Sequence, residues 1–134
     1  MTLSSIIFDL DETLIDREAT MMKFLIKQRQ RLAGLLDCSD IPYANSVLKF
    51  QNGGYANKRT AFQSALIELN QEESHLESIV NDFESIYGDE AIAFPGVRNT
   101  LLELKKDFSL GLISNGRSKA QRNKIRSSNL DGVF

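Results

Sequence analysis

The stretch IIFDLDETL, residues 6–14, decides the fold of this chain. It begins as an apolar run of the kind found in β-strands and then changes abruptly to Asp9 and Asp11, followed by the hydroxyl residue Thr13. Two carboxylates that alternate at a strand end repel each other and are costly to bury unless a positive charge lies between them. A divalent metal would supply that charge, and oxygen ligands favour magnesium.

The pattern after this stretch changes from strand to helix. Residues 3–8 form a nearly continuous apolar run, which predicts a parallel strand that is buried on both faces. Residues 17–91 repeat their apolar side chains at helical spacing and predict an all-helical insert. Its predicted elements are a helix that ends near Asp37, an irregular stretch at 43–57, a helix around 62–69, and a helix over 76–86 that a capping box from Asn70 to Glu73 introduces.

A second strand follows the insert. Residues 110–113 are a short apolar run that ends on a polar turn, residues 114–116, and predicted helices at 97–108 and 117–127 flank it. Residues 133–134 would begin a third strand. This order predicts an α/β fold with an all-helical subdomain inserted after the first strand.

The composition is that of an ordinary globular protein. The chain has 134 residues, of which 42% are hydrophobic, and its net charge of −2 gives no reason to expect nucleic acid or an anionic membrane as a partner. A single cysteine, Cys38, cannot form an internal disulfide and is interpreted as a packing residue. No apolar run approaches the length of about 18 residues that a membrane span needs. We therefore expect a cytoplasmic protein.

The two polar clusters follow the predicted strands. Ligands of a parallel sheet gather at the carboxyl ends of its strands, and residues 9–13 and 114–116 both lie at such ends. If the strands are neighbours, the clusters converge on one crevice. Either cluster alone would be an ordinary turn, but their joint position favours a catalytic site.

Both clusters carry a resemblance to a known family. The Asp-x-Asp-x-Thr pattern of residues 9–13 and the run LISNG, residues 112–116, resemble motifs of the haloacid dehalogenase (HAD) superfamily, and the insert is similar to the cap of its first subfamily. The resemblance implies a partial Rossmann-like, three-layer core of residues 1–16 and 92–134, with residues 17–91 as a helical cap. Many members carry glycine where this chain has Glu12.

The resemblance implies phosphoryl transfer through an aspartyl-phosphate, with Mg²⁺ as cofactor. Asp9 would be the nucleophile and a metal ligand through its side chain. Asp11 would be the acid/base and a metal ligand through its backbone carbonyl, and Thr13 would hold the turn that aims it. The residues implied to bind phosphoryl oxygens are Ser114, Asn115 and Gly116.

The cap would select the substrate. Tyr55, Lys58 and Arg59 follow a glycine turn in the insert and are candidates for contacting the leaving group. They are equally well explained as surface residues at the start of a helix. The single histidine excludes a site built from several histidines.

Asp11 also separates two branches of the family. A halide leaves without a proton, whereas an alkoxide needs one, so Asp11 favours a phosphatase over a dehalogenase. The leading expectation is a magnesium-dependent phosphatase that acts on a small phosphate monoester. The alternatives are a phosphomutase of the same family and a non-catalytic fragment that acts only by association.

Two further parts of the family pattern are missing from the sequence. A lysine and an acidic pair should follow Ser114 at a greater distance, and Lys119 and Lys124 come too early for the lysine. The basic residues of this segment, including Lys124, are interpreted as the solvent-facing side of a helix. We therefore expect a fragment of a longer phosphatase with little turnover of its own, and self-association through the incomplete core would cover its exposed apolar surface.

Overall fold

The computed structural model describes residues 4–54, 56–114, 116 and 118–134. Its internal contacts divide the chain into two compact units. One contains the N-terminal residues through Thr20 together with Gly88–Phe134, and the other is Met21–Tyr87. These limits fall a few residues from those predicted for the core and the cap.

The first unit contains a pair of parallel strands, β1 (Ser5–Asp9) and β2 (Ser109–Ile113). Asp9 is paired with Ile113, so both strands end at the same level of the sheet. The two strands are therefore neighbours, which is the condition under which the two polar clusters are expected to converge. Because each polar cluster follows its strand directly, this register brings Asp9 and Ser114 to the same edge.

The two faces of this sheet differ in burial. Side chains alternate between the faces of a strand, and Ile6, Phe8 and Leu110 lie in or against one apolar cluster with Leu101, from the helix that precedes β2. On the other face, Ile7 and Ile113 are 62% and 65% exposed. The prediction of burial on both faces is therefore wrong for one of them, since the part of the chain that the structure describes covers only the other.

Helices complete the first unit around this sheet. They are α5 (Val97–Lys105), which begins after a left-handed Gly96, and α6 (Ser118–Ser127). The prediction of a third strand at residues 133–134 is wrong. Val133 is instead 1% exposed and packs into the apolar cluster of this unit.

The second unit is helical, as predicted for the insert. Helix α1 (Arg17–Arg31) starts in the first unit, and the helices that follow are α2 (Asp40–Gln51), α3 (Lys58–Glu68) and α4 (Leu76–Ile86). One cluster of apolar side chains from all four helices, including Leu25, Val47, Phe62 and Ile79, forms its core. No helix of the described residues is long and apolar enough to cross a membrane.

Three predictions for the insert are corrected. Helix α1 ends at Arg31, before a turn at 32–35. Helix α2 occupies most of the stretch predicted as irregular, because Pro42 lies in its first turn, where a missing N–H costs no helical hydrogen bond. The capping box does not form: Asn70 has a left-handed φ of 56° and follows the C-terminus of α3, where such a residue ends a helix.

Candidate active site

The loop after β1 is anchored by apolar side chains and presents polar ones. Leu10, Leu14 and Ile15 are almost completely buried. The backbone N–H groups of Leu14 and Ile15 both donate to the Leu10 carbonyl, at 2.9 and 3.0 Å. Because Leu10 and Leu14 are buried at both ends of this tight turn, they fix the positions of the neighbouring Asp9 and Asp11.

Glu12 holds the left-handed position of this turn. Its φ is 63°, a conformation that a residue with a Cβ adopts at a cost. Its carboxylate accepts a hydrogen bond of 2.8 Å from the backbone N–H of Arg17, at the start of α1. The left-handed φ explains why glycine suits this position, and the bond to α1 is a contact that glycine could not make.

Asp9 lies exposed at the carboxyl end of β1. The hydroxyl of Thr13 donates to its Oδ2 at 3.3 Å. The family resemblance had assigned Thr13 to the turn that aims Asp11. The described contact joins Thr13 to Asp9, so Thr13 restricts the rotation of the candidate nucleophile.

Asp11 is held by two side chains of α6. Lys124 Nζ lies 3.1 Å from Asp11 Oδ1 and 3.3 Å from Oδ2, and the two side chains are only 11% and 17% exposed. Gln121 Nε2 donates to Asp11 Oδ2 at 3.3 Å. A protein cation therefore supplies the counter-charge for Asp11 that the sequence alone assigned to a metal.

The same glutamine reaches the second polar cluster. Gln121 Nε2 also donates to Ser114 Oγ, directly after β2. Gly116 adjoins this contact: its φ is 131°, and a Cβ there would lie 3.3 Å from Gln121 Cδ. Asn115 falls outside the described residues. The structure thus joins Asp11 and Ser114 through one amide and gives Gly116 a steric reason to be glycine.

The sequence did not identify Gln121 and assigned Lys124 to solvent. The latter prediction is wrong, because Lys124 and Gln121 are both buried. Their spacing of three residues puts them on the same side of α6. That spacing was the available signal, but a helix so rich in polar residues does not show which of them are buried.

The cap candidates lie in the second unit. Tyr55 is outside the described residues. Lys58 is the first residue of α3, and Arg59 forms an ion pair with Glu77 at 2.5 and 2.8 Å. This pairing raises the pKa of Arg59 and lowers that of Glu77. Contact of Lys58 or Arg59 with a substrate stays a prediction.

The chain resembles known proteins in its sequence pattern and in its fold. The sequence pattern of haloacid dehalogenase-like hydrolases matches residues 6–134. The chain belongs to this family. No curated protein sequence matches this HAD-like hydrolase.

Solved structures support the same fold for the HAD-like hydrolase. The magnesium-bound HAD-hydrolase YfnB from Bacillus subtilis has a TM-score of 0.67 at 19% identity, over 100% of this chain and 63% of its own. A haloacid dehalogenase-like hydrolase from Streptococcus pneumoniae has a TM-score of 0.55 at 18% identity, over 98% of this chain and 59% of its own. The L-2-haloacid dehalogenase from Xanthobacter autotrophicus, with chloropropionic acid covalently bound, has a TM-score of 0.50 at 18% identity, over 99% of this chain and 55% of its own.

These similarities show a partial Rossmann-like α/β core with an inserted helical cap. The chain spans less than two thirds of the length of each of these structures.

The oxygen atoms around β1 fit a hydrated magnesium ion. Among the described residues, no group of three or more histidine, cysteine or acidic side chains is arranged to hold a metal. The Asp11 carboxylate contacts Lys124, so the exposed Asp9 carboxylate is the side-chain donor at this edge. Magnesium keeps several waters and commonly uses one or two carboxylates, so the exposed Asp9 carboxylate is compatible with such a site.

Proposed function

We propose that this HAD-like hydrolase is a magnesium-dependent phosphatase that acts on a small phosphate monoester through an aspartyl-phosphate on Asp9. The observation that carries the proposal is the second carboxyl group, Asp11, fixed beside Ser114 through Gln121. An enzyme that expels an alkoxide needs a proton donor within reach of the leaving oxygen, a role that Asp11 would fill, and one that expels a halide does not.

The first half-reaction transfers the phosphoryl group to the protein. An Asp9 carboxylate oxygen attacks phosphorus, the bond from phosphorus to the ester oxygen breaks, and the leaving oxygen takes a proton from Asp11. The Thr13 hydroxyl, 3.3 Å from Asp9 Oδ2, keeps the attacking carboxylate oriented. Ser114 Oγ and neighbouring backbone N–H groups would donate hydrogen bonds to the phosphoryl oxygens.

The second half-reaction restores the protein. Water attacks phosphorus and gives a proton to Asp11, the bond from phosphorus to the Asp9 oxygen breaks, and inorganic phosphate leaves. A bound Mg²⁺, held by Asp9 and the Asp11 carbonyl, would neutralise charge on the phosphoryl oxygens. Asp11 thus ends each cycle in the protonation state in which it began.

A dehalogenase is the second candidate, because the Xanthobacter autotrophicus neighbour carries chloropropionic acid covalently bound. A phosphomutase is a third, since it would use the same aspartyl-phosphate but exclude water.

Steady-state assays distinguish the phosphatase from the dehalogenase and from the non-catalytic alternative. With Mg²⁺, the chain should release phosphate from p-nitrophenyl phosphate slowly, in keeping with the little turnover expected of it, and Asp9→Asn should abolish this release because the nucleophile is lost. Chloride release from L-2-chloropropionate without phosphate release would instead identify a dehalogenase. Absence of both activities, together with absence of Mg²⁺ binding by calorimetry, would favour the non-catalytic alternative.

A further inference from the structure

We propose that Lys124 and Gln121 are positioning residues that hold the Asp11 carboxyl in the geometry needed for proton transfer. The inference rests on the proposed phosphatase function, because that function gives Asp11 a proton to deliver. In this proposal Lys124 orients the Asp11 carboxyl group, which acts as the acid and base, and does not neutralise the charge of the phosphoryl group.

The contacts restrain Asp11 from one side. Lys124 Nζ donates to both carboxyl oxygens, at 3.1 and 3.3 Å, and Gln121 Nε2 donates to Oδ2 at 3.3 Å. A free carboxyl group rotates about its terminal torsion, whereas a group with donors on both oxygens is held in one plane. Oδ2 accepts from both Lys124 and Gln121, whereas Oδ1 accepts from Lys124 alone among the described residues. Oδ1 therefore keeps a second lone pair for the proton that Asp11 transfers.

The lysine is itself held in place by the first unit. A Cβ on Gly88 would lie 3.3 Å from Lys124 Cγ, so the stem of Lys124 runs directly along the Gly88 backbone. The hydroxyl of Ser127, one turn later in α6, donates to the Gly88 carbonyl at 2.7 Å and accepts from the Ala91 N–H at 2.8 Å. These hydrogen bonds hold helix α6 against residues 88–91 beside Lys124. The backbone position from which the Lys124 side chain extends is therefore fixed.

The second donor couples the acid to the candidate phosphate site. Because one Gln121 amide group contacts both Asp11 Oδ2 and Ser114 Oγ, it links the position of the proton donor to that of the candidate phosphate-binding serine. Proton transfer requires approach to hydrogen-bonding distance. Loosening Asp11 should therefore slow the chemical step of substrates that need a proton and leave binding unchanged.

The leaving group provides the decisive test. The value of kcat/KM covers steps up to the first irreversible one, here transfer to Asp9. An alkoxide leaving group needs the Asp11 proton, whereas p-nitrophenolate is stable without it. Lys124→Met should lower kcat/KM for glycerol 2-phosphate roughly 10- to 100-fold, and for p-nitrophenyl phosphate less than about 3-fold, with KM nearly constant.

Three further variants make the result specific. Lys124→Arg, which keeps the charge and the donors, should recover most of the lost rate. Arg126→Met removes a positive charge from the exposed side of the same helix and should leave kcat/KM for both esters unchanged. In an Asp11→Asn background, Lys124→Met should have no further effect on glycerol 2-phosphate, because the group through which it acts is already absent.

Four contrary outcomes would overturn parts of this proposal. Equal losses for both esters would assign Lys124 to the phosphoryl charge and refute the positioning role. An additive effect in the Asp11→Asn background would refute it as well. Absence of turnover by the wild type on both esters would refute the phosphatase function and with it the role of Asp11. The Lys124 ammonium resonance in ¹⁵N NMR decides the contact itself: it should shift in Asp11→Asn, and an unchanged resonance would overturn the tether whatever the activity.

Discussion

Replacing Tyr43 by phenylalanine tests the buried polar network of the helical unit. Tyr43 and Gln28 are both 0% exposed, and the tyrosine hydroxyl donates to Gln28 Oε1 at 2.6 Å. The Gln28 amide donates in turn to the Ile79 carbonyl at 3.1 Å and to Asp82 Oδ2 at 3.0 Å. Tyr43→Phe keeps the ring in the apolar core and removes only the hydroxyl.

The expected loss of stability follows from what the variant leaves behind. Gln28 Oε1 remains buried but loses its tyrosine donor, and a buried polar atom deprived of its partner costs about 1–3 kcal/mol. Ring packing is unchanged, so no cavity contribution is added beyond the volume of one hydroxyl. We therefore expect Tyr43→Phe to lower the free energy of unfolding of this unit by about 1–3 kcal/mol.

Alkaline pH provides a second, independent measure of the same contact. Burial is the main cause that raises the pKa of Tyr43 above its usual value of 10.0. A raised pKa in the folded state means that its stabilisation is complete below pH 10 and is lost as pH rises, by up to about 1.4 kcal/mol per pH unit. Because phenylalanine does not ionise, the stability gap between wild type and variant should shrink above about pH 10.

The assay can be confined to this unit. All three tyrosines of the chain, at positions 43, 55 and 87, fall within Met21–Tyr87, and there is no tryptophan. Urea unfolding followed by tyrosine fluorescence therefore reports on the helical unit alone. A double-mutant cycle with Gln28→Leu should give a coupling energy of about 1 kcal/mol between the two side chains. A change below about 0.5 kcal/mol, with the same pH dependence in both proteins, would refute the role assigned to this bond.

Three smaller predictions concern single residues outside this network. Glu12→Gly should be more stable than Glu12→Ala by about 1 kcal/mol in thermal unfolding, because both variants lose the bond to α1 but only glycine is relaxed at positive φ; equal melting temperatures would contradict this. Burial raises the pKa of the Cys38 thiol, so iodoacetamide at pH 8 should modify it more slowly in the folded chain than in urea, and equal rates would argue against it. A hydrogen bond from Gln30, and to a smaller extent one from Arg29, lowers the pKa of Asp40 from 3.8. The stability that ionised Asp40 contributes is therefore present at neutral pH and is lost on acidification below about pH 4. Asp40→Asn should flatten this part of the curve of unfolding free energy against pH.

Much of the first unit could be predicted from local pattern. The apolar runs that end on Asp9 and on Ser114 predict both strands, and the carboxyl-end rule for parallel sheets predicts that the two clusters converge if these strands are neighbours, as they are. The helical insert was also recognisable, because a single apolar stripe recurs along it at helical spacing. These features depend on neighbours in the sequence.

Other features depend on contacts that no local pattern contains. Helix α2 was missed because proline was interpreted as a boundary, although Pro42 lies in the one turn of a helix that tolerates it. The Lys124–Asp11 pair joins residues 113 positions apart, and the polar pattern of α6 does not distinguish its buried lysine from its exposed neighbours. The exposure of Ile7 and Ile113 could not be predicted, because an apolar run shows which side chains are favourable to bury but not which of them other elements pack against.

The central claim is that Asp9 becomes phosphorylated during turnover, and trapping the covalent intermediate tests it most directly. The chain would be mixed with Mg²⁺ and p-nitrophenyl phosphate, quenched in acid within a single turnover, digested and analysed by mass spectrometry. We expect one phosphoryl group on the peptide that contains residues 9–13. It should be located at Asp9 and be absent in Asp9→Asn. A phosphoryl group on Asp11 or on another residue, or phosphate release without any labelled aspartate, would contradict it.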